Sequence, residues 1–207
     1  MRRVRETLIA VAAAVAGGAA VHTYHTVRPL FAPDRPTAMA AAAAAARMPS
    51  PAVPVEPPAS DDPLRARHIG LPLERLHPLQ IRDTFTETRG AHVHEAIDIL
   101  APRGTPVLAV DDGRIAKLFT SKPGGLTVYQ FDPTETFAYY YAHLDGYAQG
   151  LHEGQVITRG DVLGEVGSTG NASPDAPHLH FTIFRLGPEK RWWEGAPINP
   201  LPYWLSR

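Results

Sequence analysis

Between residues 105 and 184 the chain is a succession of short runs rich in Val, Ile, Phe and Tyr, at 105–110, 114–119, 126–132, 137–144, 161–166 and 178–184. Turn signals separate them: Asp112-Gly113, Pro123-Gly124-Gly125, Asp132-Pro133 and the segment Gly167 to Gly170. Side chains that alternate with a period of two over such lengths belong on strands, so the pattern predicts an all-β domain, an antiparallel sheet or sandwich with tight hairpins. After Pro63 no amphipathic stretch of about ten residues or more reads as a helix, apart from a short turn around Leu73 to Leu79. No internal repeat of fixed period interrupts the reading.

The residues ahead of this domain have a different composition. Arg2, Arg3 and Arg5 precede an uncharged run from Thr7 to Val21 with small residues near its end, the layout of an export signal. Residues 1–27 are therefore expected to be a cleaved signal or a retained inner-membrane anchor. Alanine dominates the run and His22 and His25 interrupt its continuation, which makes it a poor membrane span. Residues 28–63 carry nine prolines, an alanine run from Ala40 to Ala46 and one aromatic, Phe31. Such a stretch cannot bury enough apolar surface to offset the entropy of ordering it, and reads as a linker. Residues 64–207 hold 15 of the 17 aromatics, enough for one domain with one core.

Composition removes whole classes of function. With no cysteine, the chain has no disulfides, thiolate metal sites or thiol nucleophile, so any metal must be held by His and carboxylate. With 20 Lys and Arg against 21 Asp and Glu, it lacks the basic excess of a protein held by nucleic-acid phosphates.

The histidines carry the chemistry. Six of the ten fall between His92 and His180, four of them as His92-Val93-His94, followed by Asp98, and His178-Leu179-His180. Residues two apart on a strand project from one face about 6.7 Å apart, so His178 and His180 point one way while Leu179, Phe181 and Ile183 point the other. The same alternation predicts His143 on a common face with Tyr141 and Tyr139, opposite Ala142 and Leu144. His94 and Asp98 would lie about 13 Å apart on an ideal strand, so the chain must bend between them, with Asp98 at the start of a strand and His94 on the loop before it. Two His and one carboxylate are a common catalytic zinc set, the fourth position being left to water.

The motifs then fall into a familiar order. His94-Glu95-Ala96-Ile97-Asp98, Ala101-Pro102-Arg103-Gly104-Thr105-Pro106-Val107, the segment Ala109 to Gly113, Tyr141-Ala142-His143-Leu144, the segment Gly164 to Asn171 and Pro177-His178-Leu179-His180-Phe181 lie within residues 85 to 185. Together they resemble the lysostaphin/LytM-type zinc metallopeptidases, many of which cleave peptidoglycan peptides. Ile198-Asn199-Pro200 with Tyr203 resembles the family's C-terminal end. The resemblance implies a lysostaphin-like, duplicated hybrid motif fold over residues 64–207. It implies Zn2+ held by His94, Asp98 and His180, with His143 and His178 as a catalytic pair that is not itself ligating. Ala96 stands where many members have Gly, and His92 matches no ligand position, so it reads as a rim residue or an accidental neighbour.

What the resemblance implies about function is a zinc endopeptidase acting on peptidoglycan stem or bridge peptides in the periplasm or cell envelope. Its partners would be those peptides and other envelope proteins, not nucleic acid, and it would touch a membrane only through an N-terminal anchor. Two other readings compete. One is a non-catalytic domain of the same fold that activates another wall hydrolase, although the five retained positions favour activity. The other is a lipoyl or biotinyl carrier built on Lys122, which leaves the histidines unexplained. Tyr141 is a candidate substrate contact set against a half-buried sheet tyrosine. Gly164 to Asn171 reads as a turn, and Trp192, Trp193 and Trp204 as packing over an open sheet edge. The residues do not decide whether 64–89 shape or cover a groove.

Overall fold

A computed structural model describes residues 61–206. The expected signal or anchor at 1–27 and nearly all of the expected linker lie outside the described residues. Among the described residues no helix is long and apolar enough to cross a membrane.

The architecture is all-β and antiparallel. A small hairpin of β1 (Thr88–Arg89) and β2 (His92–Val93) turns at Gly90, whose φ of 65° favours a residue without a Cβ. Nine further strands form one sheet: β3 (Ile97–Leu100), β4 (Pro106–Leu108), β5 (Gly113–Ser121), β6 (Gly125–Phe131), β7 (Phe137–Tyr147), β8 (Val156–Ile157), β9 (Val162–Val166), β10 (His178–Leu186) and β11 (Gly195–Ile198). The path runs β11-β10-β7-β6-β5-β8, with β3 also paired to β10, and β9 joining β4 to β7. The six apolar runs correspond to β4, β5, β6, β7, β9 and β10, and Asp98 to Leu100 lies in β3. The short β1, β2, β8 and β11 have no apolar alternation to announce them. In β11, Gly-Ala-Pro-Ile pairs with the end of β10 because it passes beside it.

The core forms on the face predicted for β10. Leu179, Phe181 and Ile183 are buried in one cluster with Ile97, Ile99, Tyr139, Tyr141, Leu144 and Leu163. Two short helices close it, α1 (Pro63–Ala66) and α2 (Leu201–Leu205), and the turn expected near Leu79 is a single 3-10 turn at Pro78–Gln80. The Asp62 side chain accepts from the backbone N–H of Leu64 at the start of α1, and the hydroxyl of Tyr203 on α2 donates to the same carboxylate. Trp204 is inside the core: its ring stacks on Phe181 at 5.5 Å and its indole N–H donates to the carbonyl of Gly70 at 2.8 Å. Trp192 and Trp193 remain on the outside, where Trp192 packs on Phe119 and Tyr129. Trp204 thus corrects the expectation of an edge cover, because α2 folds its indole inward.

Simple alternation fails in β7. Tyr139, Tyr141 and Leu144 all face the core, fully buried, although Tyr141 and Leu144 are three residues apart. The register explains it: Leu126 opposes Leu144 and Val128 opposes Tyr141, so Ala142 and His143 together face Thr127 alone. This is a β-bulge, and His143 takes the left-handed conformation (φ 62°) that re-aims its side chain. The predicted common face of His143, Tyr141 and Tyr139 is therefore wrong. Tyr141 is no substrate contact: its hydroxyl accepts from Val110 N–H and donates to Gln130 Oε1 within the core.

Candidate metal centre

The strand β10 supplies His178 and His180 from the face opposite the core, as the pleat requires. Its neighbour β3 brings Asp98 directly across from His180. His94 sits on the loop between β2 and β3, and Glu95, with φ of 55°, makes the bend that the spacing demands. The bulge in β7 delivers His143 from the other neighbour of β10. The structure therefore brings all five predicted side chains together.

Three donor atoms form a near-equilateral triangle. His94 Nε2 lies 3.0 Å from His180 Nδ1 and 3.1 Å from Asp98 Oδ1, and His180 Nδ1 lies 3.0 Å from Asp98 Oδ1. Among the described residues, these three have ligand atoms that converge tightly enough to hold a metal ion. A tetrahedral ion with bonds of about 2.0–2.2 Å sets its ligand atoms roughly 3.3–3.6 Å apart, so the triangle is close to one face of such a site. Two imidazole nitrogens and one carboxylate oxygen are also the donor chemistry that suits zinc.

His143 and His178 flank the triangle without contributing a donor to it. The His143 ring lies 4.9 Å from that of His178 and 5.5 Å from that of His180, centroid to centroid. His178 Nε2 is 3.8 Å from Asp98 Oδ1. Each of the two rings has Nδ1 at a backbone carbonyl, Thr169 for His143 and Ala176 for His178, both at 2.9 Å. A carbonyl can only accept, so Nδ1 carries the proton and Nε2 keeps a lone pair. His94 follows the same rule: Nδ1–H donates to the carbonyl of Thr84 at 3.0 Å, which leaves Nε2 for the triangle.

The electrostatics favour the neutral form of His143 and of His180 beside one anion. Burial pushes His143 down to about 4, with the charge of His180 adding to it, against the pull of the Thr169 carbonyl. Burial likewise lowers His180, although Asp98 opposes the shift. Burial alone would raise Asp98, but the close imidazoles of His180 and His94 outweigh it and hold the carboxyl below its ordinary range. Its second oxygen, Oδ2, accepts from Arg89 Nη2 on the β1–β2 hairpin at 2.7 Å.

Several groups at the site are not legible in the sequence as such. Tyr140, not Tyr141, faces it, half-buried with its ring 5.9 Å from that of His180. The glycine-rich segment matters through one carbonyl, that of Thr169. A Cβ at Gly170 would collide with the backbone of Gly125, so glycine there lets the loop approach β6 and β7 closely enough to reach His143. Thr84, Thr169 and Ala176 act through main-chain oxygens, which no residue type advertises. His92 is exposed on β2 opposite Arg89 and gives no donor to the triangle.

Comparison with known proteins finds a family and several relatives for the chain. Residues 92–200 match the model of Peptidase family M23. An L-Ala--D-Glu endopeptidase of Bacillus subtilis is 33% identical over 144 residues, covering 63% of this chain and 43% of the relative. The DD-carboxypeptidase/endopeptidase Mpg of Neisseria meningitidis is 37% identical over 131 residues, covering 61% of this chain and 24% of the relative. The chain thus spans less than half the length of each of these relatives. The solved structure of the antimicrobial peptidase lysostaphin from Staphylococcus simulans superposes with a TM-score of 0.54 at 23% identity, covering 68% of this chain and 54% of that one, a likeness of fold.

Proposed function

This chain belongs to peptidase family M23, and from that premise we propose that it is a zinc-dependent endopeptidase that hydrolyses stem or cross-bridge peptides of peptidoglycan. The observation that carries the reading is the donor triangle of His94, Asp98 and His180 with two further imidazoles beside it that are not donors. Zinc held there supplies a Lewis acid that polarises a scissile carbonyl and lowers the pKa of bound water towards about 7. His94 and His180 would hold the ion through imidazole nitrogens and Asp98 through Oδ1, so the ligand set would put one negative charge against the ion's two positive ones.

The flanking pair moves the protons. Nδ1–H of His143 and of His178 is spent on a carbonyl, so each offers Nε2 to the reacting atoms. Burial keeps His143 neutral at pH 7, which fits it to accept a proton from the attacking water. The proton so taken, held on the imidazole, is the one the departing amine needs, and His178, with its ring 4.9 Å from that of His143 and Nε2 3.8 Å from Asp98 Oδ1, stands beside that transfer.

The relatives' names, one for an L-Ala--D-Glu endopeptidase and one for a DD-carboxypeptidase/endopeptidase, support the substrate class, and the export-like N-terminus supports a site of action in the periplasm or cell envelope. The test is release of new amino groups from purified peptidoglycan by the zinc-loaded chain, stopped by a chelator and restored by zinc. A chain that binds zinc, releases nothing, and stimulates a second wall hydrolase would replace this reading with that of a non-catalytic activator.

A further inference from the structure

We propose that Thr84 is the positioning residue that sets both His94 and Asp98 for metal binding, an inference that rests on the zinc reading above. Thr84 precedes the family-matched residues 92–200 and belongs to the segment whose role the sequence leaves open. From Arg82 to Glu87 it is the one buried residue, 6% exposed, although its side chain is polar. A buried hydroxyl must find partners, and those of the Thr84 hydroxyl are the main chain of Ala96 and of Asp98, in the segment that runs from one ligand to the other.

Thr84 makes three hydrogen bonds there. Its carbonyl accepts the Nδ1–H of His94 at 3.0 Å, which fixes the tautomer and the ring plane that present Nε2 to the triangle. Its hydroxyl accepts the backbone N–H of Asp98 at 3.0 Å and donates to the carbonyl of Ala96 at 3.1 Å. One residue thereby spans the bend between His94 and Asp98, the bend that brings residues four apart onto one ion. Thr84 is itself held from outside the site. The Asp83 carboxylate accepts the N–H of Phe85 at 3.0 Å and the side-chain amide of Asn199 at 3.0 Å, and the Asn199 side chain accepts the N–H of Leu201. Asn199, just beyond β11, is thus tied through Asp83 to the residue that aligns two ligands.

The test uses the full chain, measuring its zinc dissociation constant by competition with a chromogenic chelator and the thermal midpoint of the metal-stripped protein. Thr84→Val keeps the shape and the main-chain carbonyl but removes the hydroxyl; zinc binding is expected to weaken about 10–100-fold. Thr84→Ser restores the hydroxyl and is expected to bind as the native chain does. A Thr84→Val protein with a lowered midpoint but native zinc affinity would mean a merely structural role and overturns the inference, as does a Thr84→Ser protein that binds as weakly as Thr84→Val. Should Thr84→Val not fold, Asp83→Ala decides. That change, at an exposed position, leaves the hydroxyl and loosens its support, so weaker zinc binding is expected and unchanged affinity overturns the inference. A native chain that takes up no zinc overturns the metal reading and this inference together, whereas native binding with unaltered binding in the variants overturns the inference alone.

Discussion

The two halves of the site are built by different means. On β10, His178 and His180 are aimed by the pleat, and the buried Leu179, Phe181 and Ile183 between and after them hold that aim through the core. On the other side, His94 lies on a loop and Asp98 near the start of a short strand, and hydrogen bonds accepted by Thr84 do the aligning that packing does for β10. The contrast teaches that a strand half of a metal site depends on global stability, while a loop half depends on a few polar contacts. Each can therefore be disturbed without the other.

The largest effects should come from the residues beside both halves. His143→Ala and His178→Ala are each expected to lower kcat about 10²–10⁴-fold while zinc content stays native, because neither ring is a donor in the triangle. Zinc analysis alongside peptide-release rates checks this; loss of metal in either variant would move that residue into the ligand set.

Next comes the support of the strand half. Trp204→Ala removes the ring stacked on Phe181 and should cost about 3–5 kcal/mol in urea unfolding. A cost near zero would mean that β10 does not lean on the C-terminal helix, and the contrast between the halves would lose its basis.

A pH series on the metal-free chain sharpens the comparison further. His143, held at about 4 by burial, binds a proton more weakly in the folded state than at its ordinary value of 6.5. The stability it contributes is present above pH 6.5 and is lost as pH falls from 6.5 to 4, by at most about 3 kcal/mol. His180 and Asp98, both lowered, act with the same sign, Asp98 only at still lower pH. In urea unfolding, His143→Gln should flatten the profile between about pH 7 and 4.5; a profile identical to the native one would contradict the burial argument.

The smallest effect is expected at Arg89. Its guanidinium reaches Asp98 Oδ2, but its side chain is 42% exposed, so Arg89→Gln should change stability by about 1 kcal/mol or less. A larger loss would mean that the loop half relies on this ion pair in addition to Thr84.

How much of this is legible in the sequence follows from the same contrast. The β10 alternation is readable because one face is apolar at every second residue, and the bend between His94 and Asp98 is readable because an ideal strand is too long. The orientation of Tyr140 and Tyr141 is hidden because a β-bulge needs no special residue type: His143 adopts a positive φ without a glycine to mark it. Trp204 is hidden because a five-residue helix turns it inward, and so short a helix leaves no periodic trace. The carbonyls of Thr84, Thr169 and Ala176 are invisible because main-chain oxygens are common to all residues.

The most direct test of the central claim is metal analysis of the purified chain with and without His180→Ala. The account predicts about one zinc per native chain and none in the variant, with the fold retained. No zinc in the native protein, or equal zinc in both, would contradict it.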